Sequence, residues 1–265
     1  MKFLTLLPVC LLFTIKNFAQ FEDTWQPVAI YKQNGIKARV LMFDRARFKE
    51  RAAVDFFDRD GYLTEHIQYD STGKTQVFRE TYLYDSLHKV TEQVTYNYRS
   101  FDSSQNKFVI GAVPRTTRMY NEYDSLNRIV KQIGKDSGGK IVLEITYTFN
   151  PFIKTWKYFR HDSLVSETTS YYDAPNIENR ISKTFYIRAD NENAAYTFWY
   201  KNHFDKAGKI TRRRVKYEGA DENKIFYKEI AYQYSLGGLL IKKLLSNRSD
   251  GENRLVGYLF DYKYW

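Results

Sequence analysis

One short unit recurs along this chain and constrains its fold more than any other feature. It reads aromatic, Asp, two variable residues, Gly or a substitute, a basic residue, then an aliphatic one. The copies are FDRDGYL (57–63), YDSTGKT (69–75), YDSLHKV (84–90), YDSLNRI (123–129), KDSGGKI (135–141), FDKAGKI (204–210), YSLGGLL (234–240) and SDGENRL (249–255), with a degenerate HDSLVSE from His161. An Asp side chain accepts the backbone amide two residues on and opens a type I turn. The next special position, Gly61, Gly73, His88, Asn127, Gly139, Gly208, Gly238 or Asn253, needs a residue that tolerates positive φ. A type I turn followed by a left-handed residue is a three-residue hairpin with a one-residue bulge.

That geometry predicts register. The Asp faces the basic residue in Asp70/Lys74, Asp85/Lys89, Asp124/Arg128, Asp136/Lys140, Asp205/Lys209 and Asp250/Arg254. The aromatic faces the aliphatic residue in Phe57/Leu63, Tyr84/Val90, Tyr123/Ile129, Phe204/Ile210 and Tyr234/Leu240. Between turns the pattern alternates. In KIVLEITYTF, Ile141, Leu143, Ile145, Tyr147 and Phe149 share a face, and in AAYTFWYKNHF, Tyr196, Phe198, Tyr200 and Phe204 do so. Period two predicts strands. Tyr is abundant, with 23 copies, which suits a pleated, half-buried surface. No helix is predicted beyond the first residues, and 100–114 and 173–180, with Pro114 and Pro175, read as loops.

The first residues read as an address. Met1-Lys2 begins it, Phe3 to Ile15 is an apolar run of signal-peptide length, and Asn17-Phe18-Ala19 offers a cut before Gln20. Cys10 lies inside the apolar run, so it is not placed as a lipid-anchor cysteine, and residues 20–265 hold no cysteine at all. Export without disulfides fits a bacterial envelope: periplasm, outer-membrane association or the extracellular side. No stretch after the cut is long enough for a transmembrane helix. The domain reading is a signal peptide over 1–19, helical in form, and one β-repeat domain over 20–265.

The unit resembles the YD repeat of Rhs-type proteins, on Tyr69-Asp70 with Gly73-Lys74, Tyr123-Asp124 with Arg128-Ile129, and Phe204-Asp205 with Gly208-Lys209-Ile210. The resemblance implies an all-β fold, an antiparallel meander of successive hairpins forming one extended, curved sheet at the cell surface. It implies no activity. The sequence Asp-Ser-(Leu or Thr) at 70–72, 85–87, 124–126 and 162–164 looks like the O-glycosylation signal of one Gram-negative phylum. Ser71, Ser86, Ser125 and Ser163 are the candidate acceptors, although Ser is also a good turn residue.

Catalytic motifs are missing: no GxSxG, no HExxH, no phosphate-binding glycine loop. The four His are far apart, and Asp58-Arg59-Asp60-Gly61 lacks the later ligands of a calcium loop. No cofactor or metal is expected. The formal net charge is +10, and the run Lys206 to Lys216 is the best charge cluster. Trp199, Lys201, Arg212, Arg213 and Arg214 are the candidate binding residues, for a glycan, an anionic surface or another envelope protein. Nucleic acid does not fit an exported chain. The leading expectation is a non-enzymatic envelope or extracellular interaction module. One alternative is an outer-membrane β-barrel, suggested by RLVGYLFDYKYW, which is similar to a barrel's final strand. Against it, TRRRVKY and YLTEHIQY put charge or strong polarity on both strand faces. A second alternative is a secreted glycan-active enzyme.

Overall fold

A computed structural model describes residues 28–45, 48–102, 104–105, 107–174, 181–188, 191–218, 225–249 and 252–265. The signal segment 1–19 and the Pro175 part of the 173–180 loop lie outside the described residues. Among the described residues one short helix, α1 (Val28–Gln33), precedes sixteen strands. They are β1 (Ile36–Arg45), β2 (Phe48–Phe57), β3 (Leu63–Tyr69), β4 (Gln76–Tyr84), β5 (Val90–Asp102), β6 (Lys107–Tyr123), β7 (Ile129–Lys135) and β8 (Ile141–Asn150). There follow β9 (Ile153–Arg160), β10 (Ser163–Tyr172), β11 (Ile181–Arg188), β12 (Asn191–Phe204), β13 (Ile210–Glu218), β14 (Ile225–Tyr234), β15 (Leu240–Ser249) and β16 (Glu252–Tyr264).

Each strand pairs antiparallel with its sequence neighbours, and β1 pairs with β16 from Ile36↔Tyr264 to Asp44↔Gly257, so the sheet closes into a barrel. This corrects the expected open, curved sheet, and with it the YD-repeat, Rhs-like resemblance and the reading of a hairpin repeat protein. Closure has a local cause. Register shifts sit at Phe56/Phe57, Gln68/Tyr69, Leu83/Tyr84, Glu122/Tyr123, Gly134/Lys135, His203/Phe204 and Gln233/Tyr234, one beside each three-residue-type turn. A bulge raises local twist and bends its strand, and repeated round a wall it supplies the coiling that closure needs. Pairing β1 with β16 also removes two strand edges that would otherwise template aggregation.

The turns obey their chemistry. Positive φ occurs at Gly61, Gly73, His88, Asn127, Gly139, Gly208 and Gly238. Each turn Asp accepts amides two and four residues on: Asp85 Oδ1 from Leu87 and Lys89, Asp124 Oδ1 from Leu126 and Arg128, and Asp205 Oδ1 from Ala207 and Lys209. All five aromatic/aliphatic pairs face one another as expected. The side-chain charge pairs fare differently. Asp124 and Arg128 form one at 2.6 Å, whereas Lys89 and Lys209 lie over the Tyr123 and Tyr234 rings, at 5.4 and 5.6 Å. The 70–75 turn is one residue longer, so the Asp70 amide donates to the Thr75 carbonyl and not to that of Lys74.

Four further expectations are corrected. HDSLVSE makes a two-residue turn with both His161 and Asp162 at positive φ, which needs no glycine. Asn253 lies in β16 opposite Arg248, because the last hairpin closes at Ser249↔Glu252; residues 250–251, including Asp250, lie outside the described residues. Much of 100–114 is strand: the register jumps from Asn97↔Arg115 to Arg99↔Ile110, and the extra residues hold Pro114, which cannot donate to a ladder. Finally, α1 exists. Tyr31 stacks on Phe57 at 4.3 Å and joins Ile36 and Leu239 in a buried cluster, so tertiary packing holds a helix too short to stand alone.

Candidate functional site

Closure gives every strand an inner and an outer face, and the register assigns each side chain. Tyr262, Arg39, Asp55, His66, Glu80, Thr95 and Thr117 are successive partners across β16, β1 and β2 to β6, all on the inner face. Arg39, Asp55, His66 and Glu80 are each no more than 5% exposed. Arg39 donates from Nε and Nη2 to Asp55 Oδ2, at 2.8 and 2.7 Å, and from Nη1 to the Tyr31 hydroxyl at 2.9 Å. His66 Nδ1 lies 2.6 Å from Asp55 Oδ1. Glu80 accepts from the Tyr82 hydroxyl, Gln93 Nε2 and the Thr95 hydroxyl. The belt ties α1 and five strands together by side chains.

Burial works against the Asp55 carboxylate, yet Arg39 and His66 hold it below the usual carboxylate range. Burial dominates at Glu80 and pushes its carboxyl up, against His66 and its three donors. Such a belt can store charge and hold strands in register, and its members turn toward one another inside the wall. Among the described residues no group of three or more His, Cys, Asp and Glu could hold a metal ion.

At the end of the barrel where α1 lies, four inward tyrosines repeat one contact. The hydroxyls of Tyr84, Tyr123, Tyr234 and Tyr262 donate to the carbonyls of Leu63, Val90, Ile210 and Leu240, at 2.7 to 2.9 Å. Each carbonyl belongs to the first residue of the neighbouring strand. At Tyr84, Tyr123 and Tyr234 the tyrosine before the turn thus anchors the adjacent hairpin, a second reason, beside hydrophobic pairing, for a tyrosine there, and Tyr262 makes the same contact from the last strand.

The outer face has another chemistry. Arg79–Glu65, Arg118–Glu92, Lys131–Glu144 and Lys157–Glu167 pair at 2.6 to 3.3 Å, Arg212 and Arg214 share Glu229, and Lys242 meets Asp44. The candidate binding residues divide between the two faces. Arg213 is buried and donates to Asn202 Oδ1, so it leaves the proposed cluster. Trp199, Lys201, Arg212 and Arg214 all point outward on β12 and β13, with Lys201 opposite Arg214. Trp199 is 44% exposed and stands in a transverse row, Tyr171–Lys183–Trp199–Lys216–Tyr227, of alternating rings and cations. Lys183 Nζ lies 4.7 Å from the Trp199 ring, and the indole donates to Glu218 at 2.9 Å. Sequence reasoning missed Tyr171, Lys183 and Tyr227, because only register brings them to one level.

No protein-family model matches the chain, and no curated protein matches it in sequence. Among solved structures, a porin-like protein from Bacteroides uniformis aligns over 87% of this chain and 97% of its own, at 10% identity and a TM-score of 0.38. A porin-like protein from Bacteroides vulgatus aligns over 76% and 98%, at 12% identity and a TM-score of 0.43. A TcdB2-TccC3-TEV structure aligns over 82% of this chain but 14% of its own, at 10% identity and a TM-score of 0.19.

The candidate acceptors Ser71, Ser86, Ser125 and Ser163 are all exposed. They divide between the two ends of the barrel. Ser86 and Ser125 sit on tips at the α1 end, Ser71 and Ser163 at the opposite end.

Proposed function

We propose that the protein is a non-enzymatic β-barrel of the bacterial envelope, held at the outer membrane with its wall in water, and that its outer face binds partners. The barrel replaces the open-sheet module expected from sequence. The observation that carries the reading is the sense of the alternation. Many aromatic side chains, among them Phe43, Tyr147, Trp156, Phe198, Tyr232 and Phe260, face inward with the buried belt, and although Tyr171, Trp199 and Tyr227 face outward, ion pairs occupy the outer faces of β1, β3 to β10 and β13 to β15. A lipid-spanning wall has the opposite polarity, and one outward Arg or Lys at the bilayer midplane costs about 2–4 kcal/mol.

A second reading, the integral outer-membrane barrel, is favoured by one observation: an even number of antiparallel strands closed between first and last. Carbonate extraction of envelopes and gel mobility before and after boiling separate the two. Release into the carbonate supernatant, with equal mobility boiled and unboiled, is the expected result. Carbonate resistance with heat-modifiable mobility establishes the integral barrel instead. For the outer face, the row around Trp199 predicts binding to alginate, an acidic polysaccharide, in affinity electrophoresis, with Trp199→Ala reducing it and neutral dextran giving none.

A further inference from the structure

Because every strand reverses direction, the turns segregate to two ends. The turns after β2, β4, β6, β8, β12 and β14 share the end where α1 and Trp265 lie; those after β3, β5, β7 and β9 lie at the other. The tips differ in kind. At the α1 end four of the six described tips present Leu87, Leu126, Phe152 and Leu236, each at least half exposed, the other two present Arg59-Asp60 and Lys206-Ala207, and Tyr264 and Trp265 are exposed beside them. At the opposite end the described tips are Thr72, Gln105, Gly138 and the pair His161-Asp162, with Phe108, Ile110, Ile141 and Leu164 partly exposed on the strand ends behind them.

We propose that the α1 rim docks on a lipid leaflet, its apolar tips entering the interface while the barrel stands in water. This rests on the wall-in-water reading and supplies its means of attachment. The geometry favours lipid over a protein partner. Neighbouring tips such as Leu87 and Leu126 sit two strands apart, about 10 Å along the rim. Among the described residues they are single side chains spaced round a mouth. A fluid, planar partner can receive all of them at once. Just behind the tips, Lys37 Nζ and the Arg59 guanidinium lie 5.1 and 5.6 Å from the Trp265 ring. Indole and tyrosine rings with nearby cations suit the headgroup level of an anionic membrane. On this rim Asp85, Asp124 and Asp205 accept their own turn amides through Oδ1, and Asp60 pairs with Lys32 at 2.7 Å.

The test is flotation of the purified protein with vesicles of equal parts phosphatidylethanolamine and phosphatidylglycerol. The native protein is expected to float. The triple variant Leu87→Asp, Leu126→Asp, Leu236→Asp changes only exposed turn side chains, and it is expected to lose about tenfold or more of its partitioning. Thr72→Asp at the far end is expected to float like the native protein. Equal flotation of the triple variant, no flotation of the native protein, or loss of both flotation and of a self-associated species in the same variant overturns the proposal, the last in favour of a second copy. Intact-mass evidence of a glycan on Ser86 or Ser125 also overturns it, because a sugar there would hold the tips in water. These failures are distinct from failure of the wall reading, which shows as carbonate resistance and heat-modifiable mobility.

Discussion

At the residue scale, the inner belt makes the chain's response to acid readable. A carboxyl whose folded-state pKa is raised stabilises the fold below its unfolded pKa, and that stability is lost as pH rises through the folded value. Glu80 is such a group. Asp55 is the opposite case: its contribution is present above the ordinary carboxylate range and disappears as pH falls through its lowered folded value. The melting temperature is therefore expected to rise as pH falls from neutral toward the ordinary carboxylate range, then to drop steeply below it. Calorimetry across that interval checks the shape. Glu80→Gln should flatten the rise and leave the steep loss in place; a rise that persists in the variant sinks the assignment. Asp55→Asn strands a buried guanidinium and is expected to cost about 3–5 kcal/mol in urea unfolding.

Turns and the strands they join behave as separate units with unequal tolerance. Gly61 has φ +84, and a Cβ there would meet Val28 O and Lys32 N of α1, each at 2.7 Å. Gly61→Ala combines left-handed strain with displacement of the helix, and a loss of about 2 kcal/mol or more in chemical denaturation is expected. Asn127 also has positive φ, at 61°, but its turn stands clear of α1, so Asn127→Gly is expected to stay within about 1 kcal/mol of the native protein. His88 looks equivalent by sequence and is not, since its ring stacks on Tyr62 at 4.3 Å. His88→Gly removes that contact and should destabilise where Asn127→Gly does not. What the sequence made legible follows the same division. Turn positions could be read because their chemistry is local: an acceptor on Asp, a tolerated φ three residues later. The loop expected around Pro114 was misread because a strand can absorb a proline at a bulge, which only the partner strand reveals. The run Arg212–Arg213–Arg214 must alternate in facing, but which member turns inward depends on the bulge at His203/Phe204. Helix α1 left little signal, as VAIYKQ is only six residues long, its Asn34-Gly35 stop with Gly35 at φ 60° also reads as a turn, and it is held by Phe57 and Arg39 from elsewhere.

For the whole molecule, closure was the part least accessible from sequence. It depends on β1 recognising β16, which no local pattern records, and on curvature summed over every hairpin, of which each turn motif records only its own bulge. The pairing Met42↔Leu259 puts the two halves of that seam side by side. Opposite residues in antiparallel strands have Cα atoms about 4.5–5.5 Å apart, inside the range a disulfide can span. Met42→Cys with Leu259→Cys is expected to oxidise within one molecule and raise stability by about 4 kcal/mol or more, the loop being long. Intact mass and non-reducing gels check it, and thiols that stay free under oxidant would mean an open sheet.

The seam also dictates an order of events. The first and last strands meet from Ile36↔Tyr264 to Asp44↔Gly257, the strand pairing of greatest sequence separation among the described residues. Hairpins can form early and fast, but the final ladder cannot form before the last strand is available, which makes this a slow-folding topology. During that wait two unpaired edges stand exposed to other chains. A protein built this way calls for a holding chaperone on its route, and a product stalled before β16 would sooner polymerise than rest.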